Sequence, residues 1–297
     1  MPMRKRFRMA VAGTAAVLLC TGAVAGCSAD GSGTGSRSGS GAGRPAVPAK
    51  PVWDTSPGSV AAVGDSVTRA FDACTVLADC PEVSWATGTD TDVNSLALRL
   101  LGPGKVATHS WNLARTGARM AELPEQMTAA AAERPELVTV MMGANDACRD
   151  RPDEMTPVDD FRTSFTTSLA ALRKGAPKAQ VYVSSLPDLK RLWSTGRVSP
   201  MGRQVWQLGI CGAMLKDPQD LSAAAEQRRA AVRERVVAYN RVLKEVCAKD
   251  DRCRYDDGAV FGFAFEQPQL SPWDFFHPSR DGQARLAGLA YQRITKP

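Results

Sequence analysis

An α/β fold, built on a parallel sheet with helices on both faces, follows from two patterns in this 297-residue chain. Short apolar runs bounded by Gly, Pro or polar residues alternate with amphipathic stretches. The alternation runs without internal repeats from residue 59 to residue 294, a length that suits one domain. In such sheets the ligand site lies outside the carboxyl ends of the strands.

The elements are read in order. Strand-like runs occupy 59–63, 106–111, 137–142 and 180–186, each short and apolar or β-branched. Helical stretches are expected over 67–73, 92–101, 118–133, 158–174, 222–248 and 280–294. The longest places Ala231, Val232, Val236, Tyr239, Leu243 and Val246 on one stripe and leaves Glu234 and Arg241 to solvent. The stretch 187–221 lacks clear periodicity but carries Trp193, Met201, Trp206, Leu208 and Met214, so it either caps the site or packs on the core.

The ends of the chain are read separately. Residues 1–26 have a signal-peptide pattern: Arg4, Lys5, Arg6 and Arg8, then the apolar run from Met9 to Val24, too short to span a bilayer. Ala23-Val24-Ala25 fits an ordinary small-x-small cleavage site. Val24-Ala25-Gly26-Cys27 resembles the bacterial lipobox, in which the cysteine is acylated and becomes the new N-terminus. The lipobox reading is preferred, because residues 27–51 are rich in Gly, Ser and Ala, a composition suited to a flexible tether. The expected product is an exported, surface-anchored lipoprotein whose folded part is 52–297.

Subtracting the four leader charges from the formal +6 leaves +2, so the basicity carries no nucleic-acid inference. Cys74, Cys80, Cys148, Cys211, Cys247 and Cys253 remain once Cys20 and Cys27 are set aside, and an even number in an exported chain implies disulfides. Fifteen connectivities exist for six cysteines. The expected one is sequential: Cys74–Cys80, Cys148–Cys211 and Cys247–Cys253. A metal centre is disfavoured, because no C-x-x-C pair occurs and there are only two histidines, His109 and His277.

Chemistry concentrates at two ends of the domain. Gly64-Asp65-Ser66 follows the first strand-like run, and Asp274-Phe275-Phe276-His277 lies close to the C-terminus. Serine is a poor nucleophile until a base takes its proton, and an imidazole oriented by a carboxylate is the base best matched to neutral pH. His109, in Thr108-His109-Ser110-Trp111, is read as packed or hydrogen-bonded and not catalytic. Asp65 is read as a turn former, Asp146 as a cap for the helix or turn after its own strand, and Trp85 and Tyr239 as core. The second glycine of the α/β-hydrolase nucleophile elbow is replaced by Thr68, and no P-loop, zincin helix or dinucleotide fingerprint occurs.

Four blocks in order give the chain a resemblance to the SGNH hydrolases, also called the GDSL lipase/esterase family. They are Gly64-Asp65-Ser66, Asn112-Leu113-Ala114-Arg115-Thr116-Gly117, Gly143-Ala144-Asn145-Asp146 and Asp274-Phe275-Phe276-His277. Ser84-Trp85, Leu123-Pro124-x-Gln126 and Cys148 resemble the phospholipase B-like branch in particular. The resemblance implies a flavodoxin-like three-layer α/β/α sandwich. It implies a catalytic Ser66, Asp274 and His277, and an oxyanion hole from the Ser66 and Gly117 N–H groups and the Asn145 amide. It implies ester hydrolysis through an acyl-Ser66 intermediate, without metal or organic cofactor. The expected substrate is a lipid or other small ester, met by a monomer held at a membrane through its lipid anchor. The alternatives are a carbohydrate O-acetylesterase and a non-catalytic surface lipoprotein that uses the pocket for binding.

Overall fold

Five parallel strands in the order β2-β1-β3-β4-β5 form the centre of the molecule. The computed structural model describes residues 51–296, which fall within one unit spanning Ala49–Pro297. The leader, tether and Cys27 expectations lie outside the described residues. The strands are β1 Val60–Gly64, β2 Ser110–Asn112, β3 Leu137–Met141, β4 Gln180–Val183 and β5 Cys253–Tyr255. All of β1, β3 and β4 is buried, as expected of parallel strands covered on both faces.

The helices are α1 Leu96–Leu101, α2 Val106–His109, α3 Leu123–Ala132, α4 Ala144–Ala147, α5 Val158–Gly175, α6 Leu189–Gly196, α7 Pro200–Trp206, α8 Gly212–Leu215, α9 Ala223–Cys247, α10 Ala259–Gly262 and α11 Arg280–Ile294. In the three-layer arrangement α3, α5 and α9 pack in series, and α1 packs on α11. Phe161 of α5 stacks on Tyr239 of α9 with ring centroids 4.0 Å apart. Trp85 and Tyr239 are both fully buried, as the sequence suggested. No described helix is long and apolar enough to cross a membrane.

Several elements differ from their sequence expectation. Residues 67–73 form successive turns and not a helix, with Ala70 and Asp72 in the left-handed region. The run 106–111 begins as the short helix α2, and only Ser110–Asn112 joins the sheet. The helix expected from 92 starts at Leu96, where Ser95 Oγ accepts the Leu98 N–H at 3.0 Å and caps it. The helix expected from 118 begins as a 3₁₀ turn, Met120–Glu122, before α3. The short edge strand β5 was not foreseen. The three disulfides are those expected: Cys74–Cys80, Cys148–Cys211 and Cys247–Cys253.

The segment 187–221 is both core and wall. Trp193, Trp206 and Met214 are buried, whereas Met201 and Leu208 are exposed. The fully buried Arg229 of α9 fastens it: its guanidinium donates to the Met214, Asp217 and Asp220 carbonyls and lies 4.1 Å from the Trp193 ring. A guanidinium can be buried only if its N–H donors find acceptors, and backbone carbonyls supply them here.

Candidate active site

Loops at the carboxyl ends of β1 and β3 border one cavity with Phe276 and His277. The turn after β1 is tight. A Cβ on Gly64 would stand 2.3 Å from the Met141 carbonyl oxygen, so only glycine lets the chain turn here. Gln126 of α3 clamps Gly64 from both sides: its Oε1 accepts the Gly64 N–H at 2.8 Å and its Nε2 donates to the Gly64 carbonyl at 3.0 Å. Gln126 is buried on an otherwise apolar helix face, which is the signal in the sequence that could have disclosed its role. Asp65 Oδ1 accepts the Val67 N–H at 3.0 Å, so Asp65 does form the turn. Burial outweighs the Val67 N–H bond and the His277 charge and raises its carboxyl to about 6.

Ser66 and His277, 211 residues apart in sequence, are joined directly: Ser66 Oγ lies 2.9 Å from His277 Nε2. On the other side of the ring, Nδ1 lies 2.5 Å from Asp274 Oδ2. An ionised Asp274 only accepts, so Nδ1 carries the proton and Nε2 is left to receive that of the serine. Asp274 Oδ1 also accepts the Phe276 and His277 N–H groups, each at 2.9 Å. The Trp206 indole N–H donates to the Asp274 carbonyl at 2.7 Å. Phe71 and Phe276 stand edge-on to the imidazole at 5.2 and 5.6 Å.

The electrostatics suit a base that must accept a proton. Burial alone would push the His277 pKa down, but the charge and hydrogen bond of Asp274, with Asp65 behind them, carry it above the ordinary histidine value. Burial likewise opposes ionisation of Asp274. The His277 charge, its hydrogen bond and the two backbone N–H bonds outweigh that and hold the carboxyl below its ordinary value.

Of the expected anion donors, Asn145 borders the same cavity as Ser66. Gly117 adopts φ +81°, and a Cβ there would meet no protein atom within 4 Å, so its peptide borders open space. Asn145 Nδ2 donates one N–H to the Ala118 carbonyl at 3.0 Å, which orients the amide and leaves its second N–H. Asp146 corrects the sequence reading. It lies within α4 and does not cap it. Its buried Oδ2 accepts the Met120 N–H at 2.9 Å and starts the 3₁₀ turn after the β2 loop. Burial raises the Asp146 carboxyl above its usual range. His109 is exposed on α2, where its Nδ1 pairs with the Thr108 hydroxyl at 2.8 Å.

A cavity opens beside Ser66 and His277. Leu189, Leu192, Ile210, Val260, Phe265 and Leu286 give it an apolar lining, and Asn145 and both members of the Cys148–Cys211 bond border it.

A hydroxyl, an imidazole and a carboxylate in hydrogen-bonded series, at the carboxyl ends of parallel strands, form the arrangement that nucleophilic hydrolases use. The family model for GDSL-like lipases and acylhydrolases matches residues 60–289, and the chain belongs to that family. Among solved structures, TesA superposes with a TM-score of 0.50 at 17% identity, over 80% of this chain and 97% of its own. Phospholipase A1 from Streptomyces albidoflavus gives 0.45 at 17% identity, over 81% and 100%. A family two carbohydrate esterase from Clostridium thermocellum gives 0.42 at 14% identity, over 80% and 62%. No curated protein shows significant sequence similarity to this chain.

Proposed function

We propose that this protein is an exported, lipid-anchored serine ester hydrolase that acts on lipid or other long-chain carboxylic esters through an acyl-Ser66 intermediate. The observation that carries the reading is the series Ser66 Oγ–His277 Nε2 at 2.9 Å and His277 Nδ1–Asp274 Oδ2 at 2.5 Å, opening on an apolar cavity. His277 Nε2 takes the Ser66 proton as Oγ bonds to the ester carbonyl carbon. Negative charge then gathers on the former carbonyl oxygen. The Ser66 and Gly117 N–H groups and the free Asn145 N–H are the donors proposed for it. One such donor contributes about 3 kcal/mol to the transition state. The imidazolium returns its proton to the leaving alcohol, and a water activated by the same Nε2 releases the acid.

The lining of the cavity supports an apolar acyl group over a short polar one. Three disulfides fit an oxidising compartment, and the lipobox-like Val24-Ala25-Gly26-Cys27 is the basis for the anchor. Ser66→Ala is expected to abolish hydrolysis of p-nitrophenyl acyl esters and labelling by a fluorophosphonate probe, with the circular dichroism spectrum unchanged. Residual turnover at the wild-type rate would remove Ser66 from the mechanism, and absence of labelling in the wild type would favour a binding protein. A panel from acetyl to palmitoyl esters tests the substrate class. Preference for acetyl would support the carbohydrate O-acetylesterase alternative.

A further inference from the structure

Behind the acid–base pair lies a second carboxyl that the reaction scheme does not use. Asp72 is 2% exposed. One oxygen of Asp72, one of Asp274 and one ring nitrogen of His277 all lie within 4.8 Å of one another. The loop that carries Asp72 is costly to hold. Ala70, Asp72 and Leu77 adopt φ of +51°, +57° and +52°, a region that costs non-glycine residues roughly 1–3 kcal/mol each. Several bonds fix it nonetheless. The Asp72 N–H donates to the Ala78 carbonyl at 3.0 Å, and the Ser271 hydroxyl donates to the Asp72 carbonyl at 2.7 Å. Asp72 Oδ1 accepts the Leu77 N–H, and Cys74–Cys80 closes the loop. Ser271 begins the segment that ends in Asp274 and His277, so the strained loop and the catalytic segment are held in register.

We propose that Asp72 is a positioning residue: its carboxyl, carrying its proton, donates to Asp274 and adds a fourth member to the series Ser66–His277–Asp274. This rests on the functional reading above. Two buried carboxyls this close do not both ionise. Asp274 accepts three N–H bonds and faces the imidazole, so it keeps the charge. The proton stays on Asp72, where burial first and the Asp274 charge second hold the carboxyl above its ordinary range against the Leu77 N–H bond. A neutral carboxyl meets both demands of the place: its carbonyl oxygen accepts from Leu77, and its hydroxyl serves Asp274. The titratable groups that face His277 are Asp274, Asp65 and Asp72; those that face Asp72 are Asp274 and His277.

The test follows His277 itself by NMR titration of its ring in resting protein. With only two histidines, and His109 exposed, its signals are assignable. Asp72→Ala removes a donor from the Asp274 carboxylate, which then holds the imidazolium more firmly. The His277 pKa is expected to rise by about half a unit, with kcat down about tenfold and KM nearly unchanged. Asp72→Asn keeps an N–H for Asp274 and an oxygen for Leu77, so it is expected to restore the wild-type titration and most of kcat. A fall in the His277 pKa in both variants would show that Asp72 is ionised and overturn the proposal. Loss of kcat with the titration unmoved would make Asp72 merely structural and overturn it as well. If Asp72→Ala does not fold, Asp72→Asn decides alone: an unmoved titration supports the proposal and a lowered one overturns it. The titration needs no turnover, so a Ser66→Ala result against the esterase reading leaves this measurement intact.

Discussion

Replacing Cys148 and Cys211 together by alanine isolates the crosslink that borders the cavity beside Ser66. The bond closes a loop of 63 residues, whereas Cys74–Cys80 and Cys247–Cys253 each close one of six. Cross-link entropy in the unfolded chain grows with the logarithm of loop length. It gives about 4 kcal/mol for Cys148–Cys211 and about 2 kcal/mol for either short loop. For a domain of this size the first figure corresponds to roughly 8–16 °C in Tm. The folded state has independent reasons to keep its shape. The Ala213 N–H donates to the Arg149 carbonyl at 2.7 Å across the same junction, and Arg229 still binds the carbonyls of the segment. The loss therefore belongs to the unfolded ensemble, and esterase activity at 25 °C should persist while the melting temperature drops. Differential scanning calorimetry of the two alanine pairs, Cys148/Cys211 and Cys74/Cys80, provides the comparison. If the pair that closes the long loop melts no lower than the other, loop closure does not explain the contribution of this bond.

Two further outcomes concern the site. The Asp65 carboxyl is raised from 3.8 to about 6 in the folded protein, so the native state binds the extra proton between those values. Its contribution to stability is complete below the unfolded value and lost as pH rises through about 6, a swing of about 3 kcal/mol. Asp65→Asn should flatten this decline, read as urea midpoints at pH 4 and pH 8; an identical pH slope in variant and wild type would contradict it. Leu192 is a buried part of the cavity wall, and Leu192→Trp should fill acyl space. Its kcat/KM for palmitoyl esters should fall about tenfold or more relative to that for acetyl esters, and an unchanged ratio would place the acyl chain elsewhere.

Much of this molecule was legible in its sequence, for reasons that particular residues illustrate. β1 is an uninterrupted apolar run and β3 is broken only by Thr139; both end in glycine-bearing turns, and burial on both faces favours that pattern. α9 carries a long stripe of apolar residues with charges opposite, so its period is unambiguous. The errors fall where local pattern is overruled by distant contacts. Residues 67–73 have helical composition, but the Ser271 hydroxyl and the Ala78 carbonyl hold Asp72 in a left-handed conformation that no local propensity favours. β5 has three residues, too few to show a period, and exists because it pairs with β4 at Val181–Val183. Val106–His109 reads as strand because Val and Thr are β-branched, yet the chain must still turn there to reach the sheet. Ser66, Asp274 and His277 stood out because few residue types can serve as nucleophile, base and orienting acid, and because the four blocks in order resemble one family. Asp72 and Gln126 did not, because a supporting carboxyl or amide is defined only by what surrounds it in space.

The indole of Trp206 gives the outer wall a second consequence. The side chain that ends α7 holds the carbonyl of Asp274, whose carboxylate accepts the His277 Nδ1–H. Exchanging this stretch for one from another hydrolase, in order to redirect the enzyme to bulkier acids, would therefore also detune its proton transfer. On the mechanism proposed above, such a chimera should recover turnover only when a tryptophan is retained at 206, which ties selectivity to rate.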